Sequence, residues 1–364
     1  MEPREHTILA INPGSTSTKF AVFAGERPLR AWNLKHGEEE MRPFKDRPIF
    51  EQKAFRAQAI EHELAAAGLP IAKMNAVVGR GGLLPPMESG TWRVNGAMLE
   101  EARLARRGDH ASNLGAPLAY EFARRAGVEA FVVDPVSVNE RSARARLSGV
   151  ALLERGGFCH ALNSKAVAKR YARERSTPYA HLRLIVAHLG GGNCISAHED
   201  GRMIDATDAQ QEGPFSSERA GAVPALKLVR LCFSGAYDQR QVERMLIGEG
   251  GVFSHLGTTD LVEVERRIAQ GDEKAALVFD AMAYQIAKEI GAMAAVLEGS
   301  VDAILLTGGM AHSNALVGKI RKATEWIAPV TVYPGEEELL ALAEGALRVL
   351  RGEETAKELC EPKS

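Results

Sequence analysis

The sequence predicts an α/β or mixed α+β chain built on an internal duplication. Three observations carry this reading. A strand–turn–strand–turn–strand pattern occurs twice, about half a chain apart; each copy is followed by alternating helix and strand patterns; and glycine-rich turns close the key strands. Residues 7–12 (TILAIN) form a short apolar run ended by Pro13-Gly14. Residues 17–23 make a second strand, Ala24-Gly25 a turn, and 28–34 a third strand. In the second copy, Leu184–His188 runs into Leu189-Gly190-Gly191-Gly192, Cys194–His198 follows, Asp200-Gly201 turns, and Arg202–Asp205 begins a third strand. Ile8 matches Leu184, Asn12 matches His188 and Gly25 matches Gly201, so the copies superpose without gaps at an offset of 176.

In the first half, Asn95 caps a helix over 97–107 stopped by Gly108. Leu114, Leu118 and Phe122 mark a second helix stopped by Gly127, and 130–133 is a strand ending at Asp134-Pro135. In the second half, a long helix over 273–298 leads to a strand at 301–306 and Thr307-Gly308-Gly309. A helix at 313–326, a strand at 328–333 and a helix at 336–350 complete it, and the polar tail from Gly352 is expected to fray.

Composition narrows the function classes. The chain has 364 residues, 45% apolar and 25% charged, with a net charge of −2. That is ordinary for a globular protein and gives no basic field to hold a nucleic acid. Cys159, Cys194, Cys232 and Cys360 are too scattered for a zinc site or a disulfide framework, which points to reduced thiols and a cytoplasmic setting. The N-terminus shows no signal-peptide core, and the apolar 275–297 stretch is broken by Asp280, Gln285, Lys288 and Glu289, so no membrane role is expected. Glycine is in surplus, 35 residues, and gathers in turns at strand ends, where α/β folds bind ligands.

The usual nucleotide motifs are absent. Gly14–Lys19 lacks the second glycine of a P-loop, Gly190 and Gly192 are followed by Ile195 rather than by a dinucleotide fingerprint, and His198-Glu199 is not part of HExxH. Two meanders with facing polar tips instead resemble the actin-like (ribonuclease H-like) ATPase superfamily. Asn12-Pro13-Gly14-Ser15-Thr16-Ser17-Thr18-Lys19 resembles the first phosphate motif of the acetate kinase family, and His188-Leu189-Gly190-Gly191-Gly192 resembles its second. Arg80 in VVGRGG, His110 in GDHASN, Asp134 in VVDP, His160 in GGFCH, Arg219 in SSERAG, Thr307-Gly308-Gly309 and Glu337-Glu338-Leu339 fall in the family's order. INPGSTSTK, GRGG and HLGGG together look like the branch of butyrate and branched-chain fatty acid kinases. One departure stands out: acetate kinases usually carry Asn where Gly191 stands, and Asn193 is the candidate to replace it.

The resemblance implies two duplicated domains with an interdomain cleft, 1–137 plus 338–364 and 138–337. It implies ATP/ADP and Mg²⁺ as cofactors, a short-chain carboxylate as the small-molecule substrate, and a homodimer or larger assembly. Arg80 and Arg219 would hold the carboxylate and the moving phosphoryl group, joined by His110 on the substrate side. His160 would donate to an equatorial phosphoryl oxygen, and His188 sits at the tip of the second phosphate motif. Asn12, Ser15, Ser17, Lys19, Gly190, Gly191 and Gly192 would line the phosphates, and Gly308 and Gly309 the adenosine. Asp134 and Glu337 would bind Mg²⁺, with Glu338 a near competitor. The chemistry fits these residue types. A carboxylate has a pKa near ~4 and is ionised at neutral pH, so phosphoryl transfer to it needs cations and donors rather than a base. Acetate or propionate is the alternative substrate. A nucleotide switch without kinase activity is a more distant reading, and it leaves Arg80, Arg219 and His160 without a task.

Overall fold

The computed structural model describes residues 5–360. In chain order the strands are β1 (Thr7–Pro13), β2 (Ser17–Ala24), β3 (Arg27–Lys35), β4 (Ala76–Arg80), β5 (Thr91–Arg93), β6 (Glu129–Val133), β7 (Leu184–His188), β8 (Cys194–Glu199), β9 (Arg202–Ala206), β10 (Ala303–Gly308), β11 (Val330–Pro334) and β12 (Lys357–Glu358). They form a seven-stranded sheet ordered β12-β5-β6-β4-β1-β2-β3 and a five-stranded sheet ordered β11-β10-β7-β8-β9. The chain divides into two compact units, Met1–Val138 with Glu337–Ser364 and Asn139–Glu336.

In the first unit β1 pairs antiparallel with β2 and parallel with β4, which pairs parallel with β6. β1 is buried on both faces, so it reads as a continuous apolar run. Leu9, Ile11, Val77 and Val132 share a core with Leu118 and Phe122 of the Gly115–Ala126 helix and with Ile60 and Leu64 of the Lys53–Ala66 helix. Gly79 and Gly115 make that approach possible: a Cβ on Gly79 would strike the Gly115 backbone, and one on Gly115 would strike the carbonyl of Arg80. The Glu338–Leu350 helix also packs on β1, β4 and β6, and Gly345 in its middle leaves room for Val133.

In the second unit β7 lies between antiparallel β8 and parallel β10. Its side chains alternate between two cores. Ile185 and Ala187 face Phe279, Met282 and Ile286 of the Glu273–Val296 helix, while Leu184 and Val186 face Val167, Ala168 and Tyr171 of the Ala161–Glu174 helix.

The duplication is visible in the strand pairing, and it corrects the gapless offset. Asn12 pairs with Lys19 and His188 with Cys194, so the offset is 188 − 12 = 176 on the first strand but 194 − 19 = 175 on the second. The second turn is one residue shorter. From there the offset stays at 175: the irregularity between Val22 and Phe23 recurs between Ala197 and His198. Two further expectations change. The C-terminal helix begins at Glu338 rather than 336, because Glu336 turns aside to pair with His188. The tail does not fray before residue 360: Lys357–Glu358 pairs with β5, and Glu354 accepts from the Thr91 N–H at 2.5 Å.

Candidate active site

Each unit gathers expected residues at the carboxyl ends of its parallel strands.

In the first unit the register places Asn12, Arg80 and Asp134 at the ends of the adjacent strands β1, β4 and β6. Arg80 Nη1 contacts Glu338 Oε2 at 2.9 Å and lies 3.4 Å from Asn12 Oδ1, while Asn12 Nδ2 donates to the same Glu338 oxygen at 2.5 Å. Arg80 Nε is buried without a hydrogen-bond partner among the described residues, so one donor of the guanidinium is unspent. Asp134 is buried, with φ 39°, a strained value for a residue other than glycine. Its Oδ1 accepts from Ser89 Oγ at 2.6 Å and from the Gly90 N–H at 2.8 Å. These neutral donors orient the carboxylate without cancelling its charge. Glu337 is exposed at the N-cap of the last helix, whereas Glu338 beside it is buried.

The β1–β2 turn places Ser15 and Lys19 on the surface and Ser17 half-buried. Beneath it lies a residue that no sequence pattern flagged. Arg56, fully buried, donates to Ser15 O at 3.1 Å, to Ser17 O at 2.7 Å, to Thr18 Oγ1 at 3.0 Å and twice to Gln52 Oε1. All five guanidinium N–H groups are used, and every acceptor is neutral. Burial lowers the guanidinium pKa to about 10. Because peptide units are trans and planar, drawing the Ser15 carbonyl inward turns the Thr16 N–H outward. His110 is exposed and caps the short turn after it, its Nδ1 accepting from the Ser112 N–H at 3.2 Å. That segment is tied to the end of β4 by buried Asn113, which accepts from the Leu83 N–H at 2.8 Å and donates to Gly108 O at 2.9 Å.

In the second unit His188 ends β7, and its ring stacks on His160 with centroids 3.8 Å apart and planes 10° from parallel. His188 Nε2 lies 3.2 Å from Glu336 Oε1. Its Nδ1 lies 2.9 Å from Asn163 Nδ2, which also reaches Thr307 Oγ1 at 3.1 Å. Register pairs His188 with Thr307 directly. Arg219 donates through Nη1 to Ala209 O at 3.0 Å, and its Nε is buried without a partner among the described residues. Burial pulls its guanidinium below the ordinary arginine range, opposed by Glu218 and Asp208. Ser216 joins the two loops: its hydroxyl donates to Gly191 O at 2.5 Å and accepts from the Arg219 N–H at 3.1 Å.

The glycines turn out to have several jobs. None of Gly190, Gly191 and Gly192 has a positive φ, so none is required by backbone conformation. A Cβ on Gly192 would strike the Arg219 guanidinium, one on Gly190 would lie 3.3 Å from His188 Nε2, and one on Gly191 would meet Glu218 Oε1 at 2.9 Å. They leave space for the Arg219, His188 and Glu218 side chains. Gly81 and Gly82 pack against Pro135, Val132 and Asn113. Gly308 alone among the expected site glycines has positive φ, 90°, and a Cβ there would strike the Leu189 backbone, whereas Gly309 faces open space. Asn193 is already engaged: its Oδ1 accepts from the Gly190 N–H at 3.3 Å and its Nδ2 donates to Phe215 O at 2.8 Å.

The model of the acetokinase family matches residues 149–330, half of the chain, and the matched stretch contains His160, His188 and Arg219. The chain belongs to the acetokinase family. Membership places it among carboxylate kinases. Solved structures agree on the fold. Acetate kinase from Porphyromonas gingivalis matches with a TM-score of 0.77 at 18% identity, over 94% of this chain and 100% of that one. A propionate kinase from Francisella tularensis gives 0.71 at 19%, over 93% and 98%. Acetate kinase from Entamoeba histolytica gives 0.74 at 16%, over 94% and 99%. The fold is therefore α/β with two duplicated actin-like domains.

Of the residues packed around these clusters, Arg56, Asn163 and Glu336 lie outside the motifs read from the sequence, whereas Asn113 and Ser216 lie inside GDHASN and SSERAG. Arg56 sits in the Lys53–Ala66 helix, where alanine is the commonest residue, and a single arginine there gives no cue. Asn163 is the one with a faint cue, three residues after His160 on the first turn of the same helix.

Proposed function

We propose that this member of the acetokinase family transfers the γ-phosphoryl group of ATP to a short-chain or branched-chain fatty acid, butyrate before others, giving an acyl phosphate and ADP reversibly. The observation that supports this best is the pair of arginines. Arg80 and Arg219 each keep a buried, unspent Nε donor beside the expected phosphate turns. A guanidinium fork with a free edge suits a carboxylate or a phosphoryl group. Arg80 would orient the ionised carboxylate, which needs no base. Arg219 would take up charge on the moving phosphoryl group, and His188 and His160 would donate to its oxygens. The outward N–H of Thr16 and the turn at Gly190–Gly192 would position the nucleotide phosphates.

Mg²⁺ would be held by Asp134 together with Glu337. When bound, the ion would offset negative charge on the phosphates. The described residues hold no cluster of three or more ligating groups, so these carboxylates suit an ion that brings most of its shell on phosphate and water. No helix among the described residues is long and apolar enough to cross a membrane, and we assign the enzyme to the cytoplasm. The Ala225–Cys232 helix buries none of its residues and leaves Leu226, Val229 and Phe233 exposed. A second copy of the chain would cover this face.

The preference for butyrate rests on the resemblance of the phosphate motifs and on Gly191. Acetate or propionate is the second reading, favoured by the named activities of the similar structures. One methylene in an apolar pocket is worth only ~1–3 kcal/mol, so the acids must be compared directly. Purified protein with Mg-ATP and hydroxylamine is expected to give acyl hydroxamate from butyrate faster than from acetate. Equal rates would move the assignment to acetate kinase, and ATP turnover without hydroxamate from any acid would reject the kinase.

A further inference from the structure

The hydrogen bonds around His188 have a direction, and it can be read from the one group with a single proton to give. Thr307 Oγ1 lies 3.2 Å from Gly335 O, which can only accept, so the Thr307 hydroxyl donates there. It must then accept from its other neighbour, Asn163, 3.1 Å away. That fixes the Asn163 amide with its NH₂ toward Thr307, and the same nitrogen lies 2.9 Å from His188 Nδ1. One amide nitrogen with two hydrogens thus serves both contacts. His188 Nδ1 is left as the acceptor.

The other end of the ring agrees. His188 Nε2 lies 3.2 Å from the Glu336 carboxylate, an acceptor, so Nε2 bears the hydrogen. The opposite amide orientation would forfeit the Thr307–Gly335 bond and, on a neutral ring, set the bare Nε2 lone pair against a carboxylate. A doubly protonated ring would set Nδ1–H against the Asn163 NH₂. His188 is almost fully buried, which leaves water little scope to rescue either mismatch.

We infer that Asn163 is a positioning residue that locks His188 in the tautomer with its proton on Nε2, making that ring a hydrogen-bond donor to an anionic oxygen and not a base. The anion in question, a phosphoryl oxygen, rests on the proposed carboxylate kinase activity; the tautomer itself does not. One helical turn therefore supplies two parts of the site. His160 stacks on the His188 ring and Asn163, three residues on, sets its proton.

The test uses the full chain labelled with ¹⁵N-histidine. Two-bond proton–nitrogen NMR correlations distinguish a protonated from a bare ring nitrogen, and His188→Gln identifies the His188 signals by their loss. The expected wild-type pattern is a protonated Nε2 and a bare Nδ1; a protonated Nδ1 overturns the inference. Asn163→Asp keeps the shape and replaces the donor by an acceptor. It is expected to move the proton to Nδ1 and to lower kcat at least tenfold, with KM for ATP changed less than threefold. An unchanged His188 pattern with wild-type kcat overturns the inference as well. Should that variant fail to fold, the wild-type spectrum alone decides. Should the wild type form no acyl phosphate, the functional assignment falls while the spectrum still reports the tautomer.

Discussion

Replacing Arg56 by Met tests whether the first phosphate turn is held from below. Burial lowers the guanidinium pKa from the ordinary arginine range to about 10, which at ~1.36 kcal/mol for each tenfold change is roughly 3 kcal/mol against the charged form. The substitution relieves that cost but removes five hydrogen bonds, each worth ~1.5–3 kcal/mol for a charged donor. Two of the four acceptor atoms keep another contact: Ser17 O accepts from the Gly14 N–H at 2.8 Å, and Thr18 Oγ1 pairs with His36 Nε2 at 2.7 Å. Ser15 is exposed and water can reach its carbonyl, so the buried Gln52 amide is the acceptor left stranded. The balance is a net loss of at least about 4 kcal/mol, and a Tm lower by about 8 °C or more for a unit of this size. With the Ser15 carbonyl released, the Thr16 N–H loses its direction, and KM for ATP is expected to rise about tenfold. Thermal unfolding and initial-rate kinetics read both effects. A Tm within 1 °C of wild type together with an unchanged KM would show that Arg56 does not hold the turn.

Three further outcomes follow from the geometry. Gly192→Ala is expected to lower kcat about a hundredfold with a small change in Tm, because its methyl group displaces the Arg219 guanidinium; Gly191→Ala, which meets only the flexible end of Glu218, is expected to stay within threefold, and steady-state kinetics of the pair separates them. Glu338→Gln removes the charge that pairs with Arg80 at 2.9 Å and is expected to change KM for the carboxylate more than KM for ATP, which kinetics with each substrate varied in turn will show. His198 is fully buried between Tyr179 and Ser196, and burial lowers its pKa to about 3. The unfolded chain takes up that proton near pH 6.5 and the folded chain does not. Its contribution to stability is therefore present above pH 6.5 and is lost toward pH 3, at up to ~1.4 kcal/mol per pH unit. Denaturant titrations from pH 7 to 5 should show this slope, and His198→Gln should remove it.

Much of the fold was legible because apolar runs and turn residues repeat locally. TILAIN and LIVAH are buried on both faces, and Gly127 and Asn95 end and cap helices as their chemistry requires. The one-residue difference between the two turns was not legible, since a gap inside a polar loop leaves no periodic trace. The tail misled for a similar reason: Lys357 and Glu354 look solvated, yet their partners Glu88 and Thr91 lie more than 260 positions away in sequence. At the site, the residues expected to touch substrate could be named from their motifs, but the residues that aim them could not. The contacts of Arg56 and Asn163 are set by tertiary packing, and single side chains of common types carry no signal for that.

In the proposed reaction a carboxylate oxygen attacks the γ-phosphorus of ATP. Butyrate labelled with ¹⁸O in both carboxylate positions, incubated with the enzyme and Mg-ATP, tests it most directly, with the acyl phosphate followed by ³¹P NMR. Direct transfer predicts an acyl phosphate whose phosphorus shows the isotope shift of one bridging ¹⁸O. ATP consumed to unlabelled inorganic phosphate, with no labelled acyl phosphate formed, would contradict it.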